Sequence, residues 1–210
     1  MFSEGDIAKV NLNLGSSGFD PQIALAVTDH IALVANGSFQ NNHADSSESF
    51  HRHRIIEGGI GYYTTFDKNG RFEFITGYGL GRVESYSDYS IFNAYANARF
   101  RKIFFQPAVG FVNEYFEGSL VPRFSMISMD VSDSIQNASV SRNYNLFFEP
   151  ALIAKIGPKN IRFIIQAGIT TPVGHTKIPY EYDWFFFSGG LQITLDRNLF
   201  KGSKEKKLFD

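Results

Sequence analysis

The fold is decided by the stretch DWFFFSGGLQITL, residues 183–195. In its second half, apolar side chains recur at positions 191, 193 and 195, and small or polar ones lie between them. A two-residue period is that of a β-strand with one apolar and one polar face. The stretch therefore predicts a strand that separates two chemically different environments.

The same period recurs along most of the chain. It predicts further strands at residues 9–14, 22–27, 31–39, 51–66, 71–83, 96–113, 117–129, 144–156 and 161–170. The 22 Phe and 10 Tyr among 210 residues also favour strands over helices, and no run of about 18 apolar residues provides a transmembrane helix. We expect one all-β domain over residues 1–196, followed by a charged tail at residues 197–210.

The connections between these strands alternate in length. Tight turns are predicted near residues 28–30, 67–70, 114–116 and 157–160, and longer polar connections at 15–21, 41–49, 84–90, 130–143 and 171–182. This layout is typical of a transmembrane antiparallel up-and-down β-barrel, with its short turns on the periplasmic rim. Ten strands of about ten residues each span a bilayer at the usual tilt, and eight strands are the fallback.

The two faces of the predicted strands differ in charge. The apolar parity is nearly free of charge over the strand centres, whereas the opposite parity collects Lys9, Glu57, Glu73, Arg123, Glu149, Lys155 and Arg162. In a membrane barrel the apolar face meets lipid and the charged face lines the lumen, the reverse of a soluble barrel. We expect Arg123 to pair with Glu149, and Lys155 and Arg162 to lie nearer the short-turn rim, at the level of Glu73. Because buried charges persist only when paired, we predict a lumen plugged by a structural ion network; a proton-driven or substrate-binding lumen is the alternative.

Several short segments carry a resemblance to a known group of proteins. They are FFQPAVGF (104–111), VPRFSMISM (121–129), FFEPALIAKIG (147–157) and the closing FFFSGGLQITL (185–195). With them the chain resembles small outer-membrane barrel proteins of the Bacteroidota. The spacing of Ser188, Gly190, Ile193 and Leu195 also resembles the C-terminal signal by which outer-membrane barrels are recognised, although a terminal Phe is missing. The resemblance implies the fold and the outer membrane as location, and it transfers no functional residue.

Three prolines fall on the outward parity of successive strands: Pro107, Pro122 and Pro150. We predict that they form a row in the barrel wall. Proline has no N–H to donate to a sheet and is unusual inside one. The row is interpreted as a set of bulges that adjust curvature, as a place where an acyl chain enters sideways, or as a flat docking surface.

Five arginines share the lipid-facing parity just beyond the apolar band on the long-loop side: Arg52, Arg54, Arg82, Arg99 and Arg101. Adjacent strands bring them together. Guanidinium groups bind phosphates bidentately, so we hypothesise a lipopolysaccharide phosphate site on this rim. A generic solvated rim is the alternative.

Other chemistry has weaker support in the sequence. His43, Asp45, His51 and His53 have a spacing that can hold a metal, but solvated loop histidines are favoured, and we predict no metal and no cofactor. His175, together with Ser and Asp residues of other loops, has the residue types of a lipase-like or acyltransferase-like site, but the sequence fixes no geometry for them. We therefore predict that the protein is not an enzyme; a lipid-modifying enzyme is the alternative. A net charge of −1 without a long basic run argues against nucleic acid as a partner. Since the given sequence contains no cysteine, we expect no disulfide, no thiol catalysis and no lipidated cysteine within it.

The sequence as a whole predicts a non-enzymatic outer-membrane barrel that serves as a structural, adhesive or accessory subunit of the cell envelope. It presents loops at residues 41–50 and 130–143 outside the cell, since loops carry function on rigid scaffolds. Its partners are predicted to be outer-membrane lipids and lipopolysaccharide, with other outer-membrane or surface proteins as further candidates. A lipid-binding or lipid-modifying barrel with lateral access is one alternative. A soluble barrel that binds an apolar ligand is another, since residues 1–10 show neither the basic segment nor the apolar run of a secretory signal.

Overall fold

The computed structural model describes residues 2, 6–43, 50–89, 92–133, 143–174 and 184–196. The described chain forms these strand segments: β1 (Asp6–Gly15), β2 (Gly18–Ala26), β3 (Ile31–His43), β4 (Phe50–Phe66), β5 (Gly70–Tyr89), β6 (Phe92–Val112), β7 (Phe116–Asp133), β8 (Asn143–Ile156), β9 (Ile161–Ile169), β10 (Thr171–Val173) and β11 (Phe185–Asp196). Across these ranges, no helix has the length and apolar character needed to cross a membrane. The predicted tail at residues 197–210 lies outside the described residues.

The strands close into an antiparallel barrel. Each strand from β1 to β8 pairs with the next, β8 pairs with β9 and β10, β9 pairs with β11, and β11 pairs with β1. The pairs Ala151–Gly168 and Phe148–Thr171 belong to one unshifted register, so β9 and β10 form a single wall strand interrupted at Thr170. The barrel therefore has ten strands, which confirms the predicted number and leaves no open sheet edge.

Both described chain ends lie on the rim of the short turns. Asp6 pairs with Asp196 there, and the four connections on this rim, 27–30, 67–69, 113–115 and 157–160, have three or four residues each. In the last of them Gly157 has φ 132°, where an added Cβ would lie 2.7 Å from the carbonyl oxygen of Ile161. A side chain at this position would be strained.

The wall is much taller on one side than on the other. Strands β4 to β7 have 17 to 21 residues, whereas β1 has ten and β2 has nine. The longer connections predicted at residues 15–21 and 84–90 are wrong. Gly15 pairs with Gly18 across a tight turn, and β5 continues to Tyr89 and pairs with β6 as far as Phe92. Beyond the membrane both faces of a strand meet water, so the ladder extends without the apolar alternation by which the sequence revealed the other strands.

The orientation of the faces is as predicted for a membrane barrel. Phe72, Leu120 and Leu152 point outward and are 36%, 45% and 64% exposed. Glu57 and Lys155 point into the lumen and are buried. A belt of exposed apolar side chains on every wall strand would be unstable in water, so hydrocarbon is the solvent of this surface.

The lumen has an apolar side and a polar side. The apolar side contains a cluster of buried residues on β6, β7 and β8, namely Ala108, Val112, Val121 and Ala151. The polar side lies on β1, β2 and β11, where amide side chains such as Asn13 and Gln192 are buried. Ionic clusters lie between these two sides.

Candidate functional site

The central ionic cluster joins four strands across the lumen. It consists of Glu57 on β4, Lys102 on β6, Arg123 on β7 and Glu149 on β8, and we call it the central quartet. Arg123 Nη2 donates to Glu57 Oε2 at 2.6 Å, and its Nε lies 3.7 Å from Glu149 Oε2. Lys102 Nζ bridges the two acids at 3.6 Å from Glu57 Oε1 and 3.3 Å from Glu149 Oε2. Two acids and two bases make the quartet neutral, which is the condition for burying charges.

Neighbouring groups hold the quartet in place. Ser125 Oγ donates to Glu149 Oε2 at 2.6 Å, and Asn36 Nδ2 donates to Glu57 Oε2 at 3.5 Å. The guanidinium of Arg123 lies over the ring of Phe104, 4.0 Å from its centroid. This cation–π contact supports the cation on the apolar side of the lumen.

A second cluster lies nearer the short-turn rim. Glu117 is completely buried, and its two carboxylate oxygens accept from Lys155 Nζ at 2.7 Å and from Arg162 Nη1 at 2.9 Å. Arg162 Nη2 also donates to the Asn113 carbonyl at 2.7 Å. The expectation that Lys155 and Arg162 lie near this rim agrees with the structure, but the acid between them is Glu117. Glu73 instead accepts a hydrogen bond from the backbone N–H of Phe2.

A third cluster joins the two ends of the barrel sheet. Lys159, in the β8–β9 turn, lies 3.3 Å from Asp6 Oδ1 and donates to Asp196, while Lys9 lies 3.2 Å from Asp6 Oδ2. Partial burial disfavours the charged ammonium of Lys159, but the carboxylates of Asp196 and Asp6 outweigh it and raise its pKa. The cluster ties β1 to β11 where the barrel closes.

Phe2 reaches into the lumen and is buried there. Its ring stacks on Tyr63 at a centroid distance of 5.0 Å, and Lys9 Nζ lies 5.3 Å from its centroid. Tyr63 in turn donates its hydroxyl proton to the Thr28 carbonyl at 2.7 Å. These contacts fill the lumen at the short-turn end.

A cavity of about 410 Å³ remains inside the barrel. Its walls include members of the central quartet, the amides of Asn11, Gln22 and Gln166, and the small apolar residues Ala108 and Ala151. The cavity is of the size that holds one small ligand or part of an acyl chain. It passes the quartet and reaches from Ser17 and Asp20, near the long-loop rim, to Phe2 and Tyr63 at the short-turn end.

The register places the three prolines side by side. Pro122 lies opposite Pro150, and the unshifted β6–β7 register places Pro107 opposite Pro122. Between the β6–β7 pairs Phe105–Phe124 and Val109–Leu120, the ladder of hydrogen bonds is interrupted at the prolines.

The directions of the backbone N–H groups show how many hydrogen bonds are missing between β6 and β7. In an antiparallel sheet successive N–H groups point to alternate neighbours. Val112 N–H donates towards β5, to Asn69 O, and Asn113 N–H donates towards β7, to Phe116 O. Odd positions of β6 therefore face β7, so the ring nitrogens of Pro107 and Pro122 face each other and two reciprocal hydrogen bonds are missing.

The same alternation applies on β9. Thr170 N–H donates to Trp184 O on the β11 side, so Ile169 faces β8 and lies opposite Pro150, whose ring nitrogen removes a third bond. We call the weakened positions at Pro107–Pro122 and Pro150–Ile169 the proline seam. Arg123 and Glu149 are the inward neighbours of Pro122 and Pro150, so the central quartet ties the strands together from inside at the level of the seam.

The five arginines lie on the outer surface and are exposed. Arg54 is the register partner of Arg82, and Arg82 is the partner of Arg99, so three guanidinium groups follow one another on β4, β5 and β6. Arg101 lies one outward position closer to the apolar belt, opposite Leu80. Arg52 lies one outward position further out, opposite Glu84.

The histidines form no site within the described side chains. His53 Nε2 lies 3.1 Å from Ser38 Oγ, and the rings of His51 and His53 are 5.8 Å apart. The side chain of His43 and all of Asp45 and His175 lie outside the described residues. Among the side chains that are described, no group of three His, Cys, Asp or Glu residues is placed to hold a metal.

Five members of the ionic clusters were not among the predicted lumen residues: Lys102, Glu117, Asp6, Lys159 and Asp196. Lys102 follows Arg101 directly in the sequence, and its even position on β6 has the inward parity. Glu117 follows a turn that contains Glu114 and was treated as the start of a strand. For Lys102 and Glu117, the inward parity of the position on the strand was the signal in the sequence by which they could have been found.

Comparison with known proteins supports the fold. No protein-family model and no curated protein matches the chain. The translocator domain of the autotransporter NalP from Neisseria meningitidis superposes with a TM-score of 0.52 at 8% identity, covering 89% of this chain and 85% of that one. The fold is that of a bacterial outer-membrane β-barrel. LpxR from Salmonella typhimurium has a TM-score of 0.40 at 9% identity, covering 89% of this chain and 99% of its own.

Proposed function

We propose that this outer-membrane barrel is a non-conducting structural or accessory subunit of the cell envelope. The observation that carries the proposal is the central quartet, which crosses part of the lumen from β4 to β8 with contacts of 2.6 to 3.7 Å and so narrows it. A water-filled channel needs a continuous open lumen. Here ion pairs and the rings of Phe104 and Phe2 narrow the lumen to a cavity of about 410 Å³. The outer ends of β4 to β7, which extend beyond the apolar belt, form a rigid surface on which partners outside the membrane can bind.

Electrical recording in planar lipid bilayers tests this proposal. The intact protein is expected to insert without stable single-channel steps. A quadruple variant, E57A/K102A/R123A/E149A, removes all four charges together, so no unpaired charge is left buried. It is expected to widen the lumen and to conduct. Folding of both proteins is checked by their heat-dependent mobility in gels, and porin-like steps from the intact protein would overturn the proposal.

The affiliation with Bacteroidota barrels remains part of the proposal. It rests on the four short segments quoted from the sequence. Insertion efficiency tests it: assembly machinery from a member of the Bacteroidota should insert the chain more efficiently than machinery from a distant phylum. Equal efficiency in both would count against the affiliation.

A second candidate function is lipid handling through the wall, and the proline seam favours it. Three missing backbone hydrogen bonds lie at one level of β6 to β9, and the small side chains of Ala108 and Ala151 separate this part of the wall from the lumen cavity. Opening β6 from β7 at this level would connect the cavity with the bilayer. The central quartet would then act as the latch that holds the strands together.

Mass spectrometry of lipid A separates the two candidates. A change in lipid A between cells with and without the protein supports lipid modification. For lipid entry without chemistry, the P107A/P122A variant restores both N–H donors and is expected to reduce the amount of lipid that remains bound after purification. Unchanged lipid A together with unchanged bound lipid removes this second candidate.

A further inference from the structure

Three arginines on the outer surface lie side by side on neighbouring strands, so that their positive charges are adjacent. Arg54, Arg82 and Arg99 are consecutive register partners on β4, β5 and β6, and neighbouring strands are about 4.8 Å apart. Like charges directly opposite each other in a sheet are destabilising. Such a row is stable when an anion lies between its members.

Nearby acids neutralise only part of this charge. Arg82 Nε lies 3.0 Å from Glu84 Oε1 and 3.2 Å from Asn97 Oδ1, and Asp130 is the register partner of Arg99. Among the described side chains, the three arginines of the row therefore face two carboxylates, Glu84 and Asp130. The excess is positive, so the surface is complementary to an anion.

Two of the arginine side chains are oriented by contacts with neighbouring side chains. Arg52 Nε donates to Asn41 Oδ1 at 2.7 Å, and its guanidinium lies 4.9 Å from the centroid of the Phe50 ring. Arg82 is held by Asn97. A guanidinium that is oriented in advance loses less conformational entropy when it binds a ligand.

The position of the row on the barrel indicates the kind of anion. Directly below Arg54 and Arg82 on the same face lie Ile56 and Leu80, which are 65% and 56% exposed and belong to the apolar belt. The row therefore lies one outward residue above hydrocarbon, at the depth of lipid headgroups. A soluble anion would gain nothing from the adjacent apolar belt, whereas a lipid places its headgroup at this depth and its acyl chains along the belt.

We propose that Arg54, Arg82 and Arg99 form a binding site for the phosphate of a membrane lipid headgroup, such as that of lipopolysaccharide, whose acyl chains lie along the belt at Ile56 and Leu80. Bidentate hydrogen bonds from guanidinium to phosphate supply the specificity. Arg101, at the edge of the belt, and Arg52, further out, flank the site. The proposal concerns the outer surface and does not depend on whether the lumen conducts.

The test compares three variants reconstituted in nanodiscs with fluorescent lipopolysaccharide. R54Q/R82Q/R99Q removes the charges, R54K/R82K/R99K keeps them without the bidentate fork, and K68Q removes a charge from the opposite rim. The Gln variant is expected to bind about tenfold or more weakly, since one charge-assisted hydrogen bond amounts to about that factor. The Lys variant should fall between it and the intact protein, and K68Q should bind like the intact protein.

Two further arms identify the source of the phosphate. Dephosphorylated lipopolysaccharide should bind the intact protein as weakly as the phosphorylated form binds the Gln variant. Inorganic phosphate should compete poorly, because it lacks the acyl chains. Equal binding by the Gln variant and the intact protein, with folding verified by gel mobility, would overturn the proposal. Full displacement of the lipid by inorganic phosphate would equally overturn it in favour of a soluble anion site.

Discussion

Replacing Glu117 by Gln removes the carboxylate that holds two buried cations. Glu117 is fully buried and contacts Lys155 at 2.7 Å and Arg162 at 2.9 Å. Arg162 keeps the Asn113 carbonyl as an acceptor, whereas Lys155 loses the carboxylate it bonds to. Removing one partner of a buried ion pair costs about 3–5 kcal/mol. Because Arg162 remains partly satisfied, we expect about 3 kcal/mol, a substantial part of a total stability of about 5–15 kcal/mol.

The loss is measured by urea unfolding in lipid vesicles. The fluorescence of Trp184, the single tryptophan of the chain, follows unfolding from the rim opposite Glu117. A fall in the urea midpoint at unchanged slope reports a loss of stability. The matched control is E84Q, which removes an acid from the exposed pair with Arg82 and is expected to change stability by less than about 1 kcal/mol.

A double variant separates the ion pair from other effects of the substitution. In E117Q/K155M the stranded ammonium is absent, so the double variant should be more stable than the sum of the two single losses implies. Coupling energies between residues in contact are about 0.5–3 kcal/mol. An E117Q protein within about 1 kcal/mol of the intact one, or a strictly additive double variant, would refute the view that this cluster stabilises the barrel through its charges.

Three further outcomes follow from the structure. P107A/P122A restores two reciprocal backbone hydrogen bonds of about 0.5–1.5 kcal/mol each, so the urea midpoint of unfolding should rise. An unchanged midpoint would mean that the proline seam does not lack backbone N–H donors. Phe105, near the middle of the apolar belt, is 49% exposed; F105R should lose about 2–4 kcal/mol in vesicles, and full stability would place this surface outside the membrane. The raised pKa of Lys159 means that its stabilising contribution is complete at neutral pH and is lost as pH rises through the raised value; K159M should lose this alkaline decline, and an unchanged pH profile would contradict the pairing with Asp196.

The sequence alone determined where most strands run and that each has one apolar and one polar parity, and it favoured ten strands over eight. The reason is that a two-residue period and the chemistry of each face are local properties, readable from residues such as Leu191, Ile193 and Gln192. Soluble and membrane barrels share the contrast between an apolar and a charged parity, so the aromatic content, the alternating connection lengths and the closing strand were what favoured lipid as the outer solvent. The outer part of β5 and β6 escaped prediction, because a strand with water on both faces has no such contrast.

The tertiary structure decided which residues meet. That Glu117 lies between Lys155 and Arg162, that Lys102 bridges two acids, and that Arg54, Arg82 and Arg99 stand in line all depend on the register between strands. A one-residue slip would reverse the faces and is excluded by the pattern, but the remaining choices of register differ by two residues and keep every face unchanged. Closure of the barrel selects among them, since each strand must match two neighbours at once and the last must match the first.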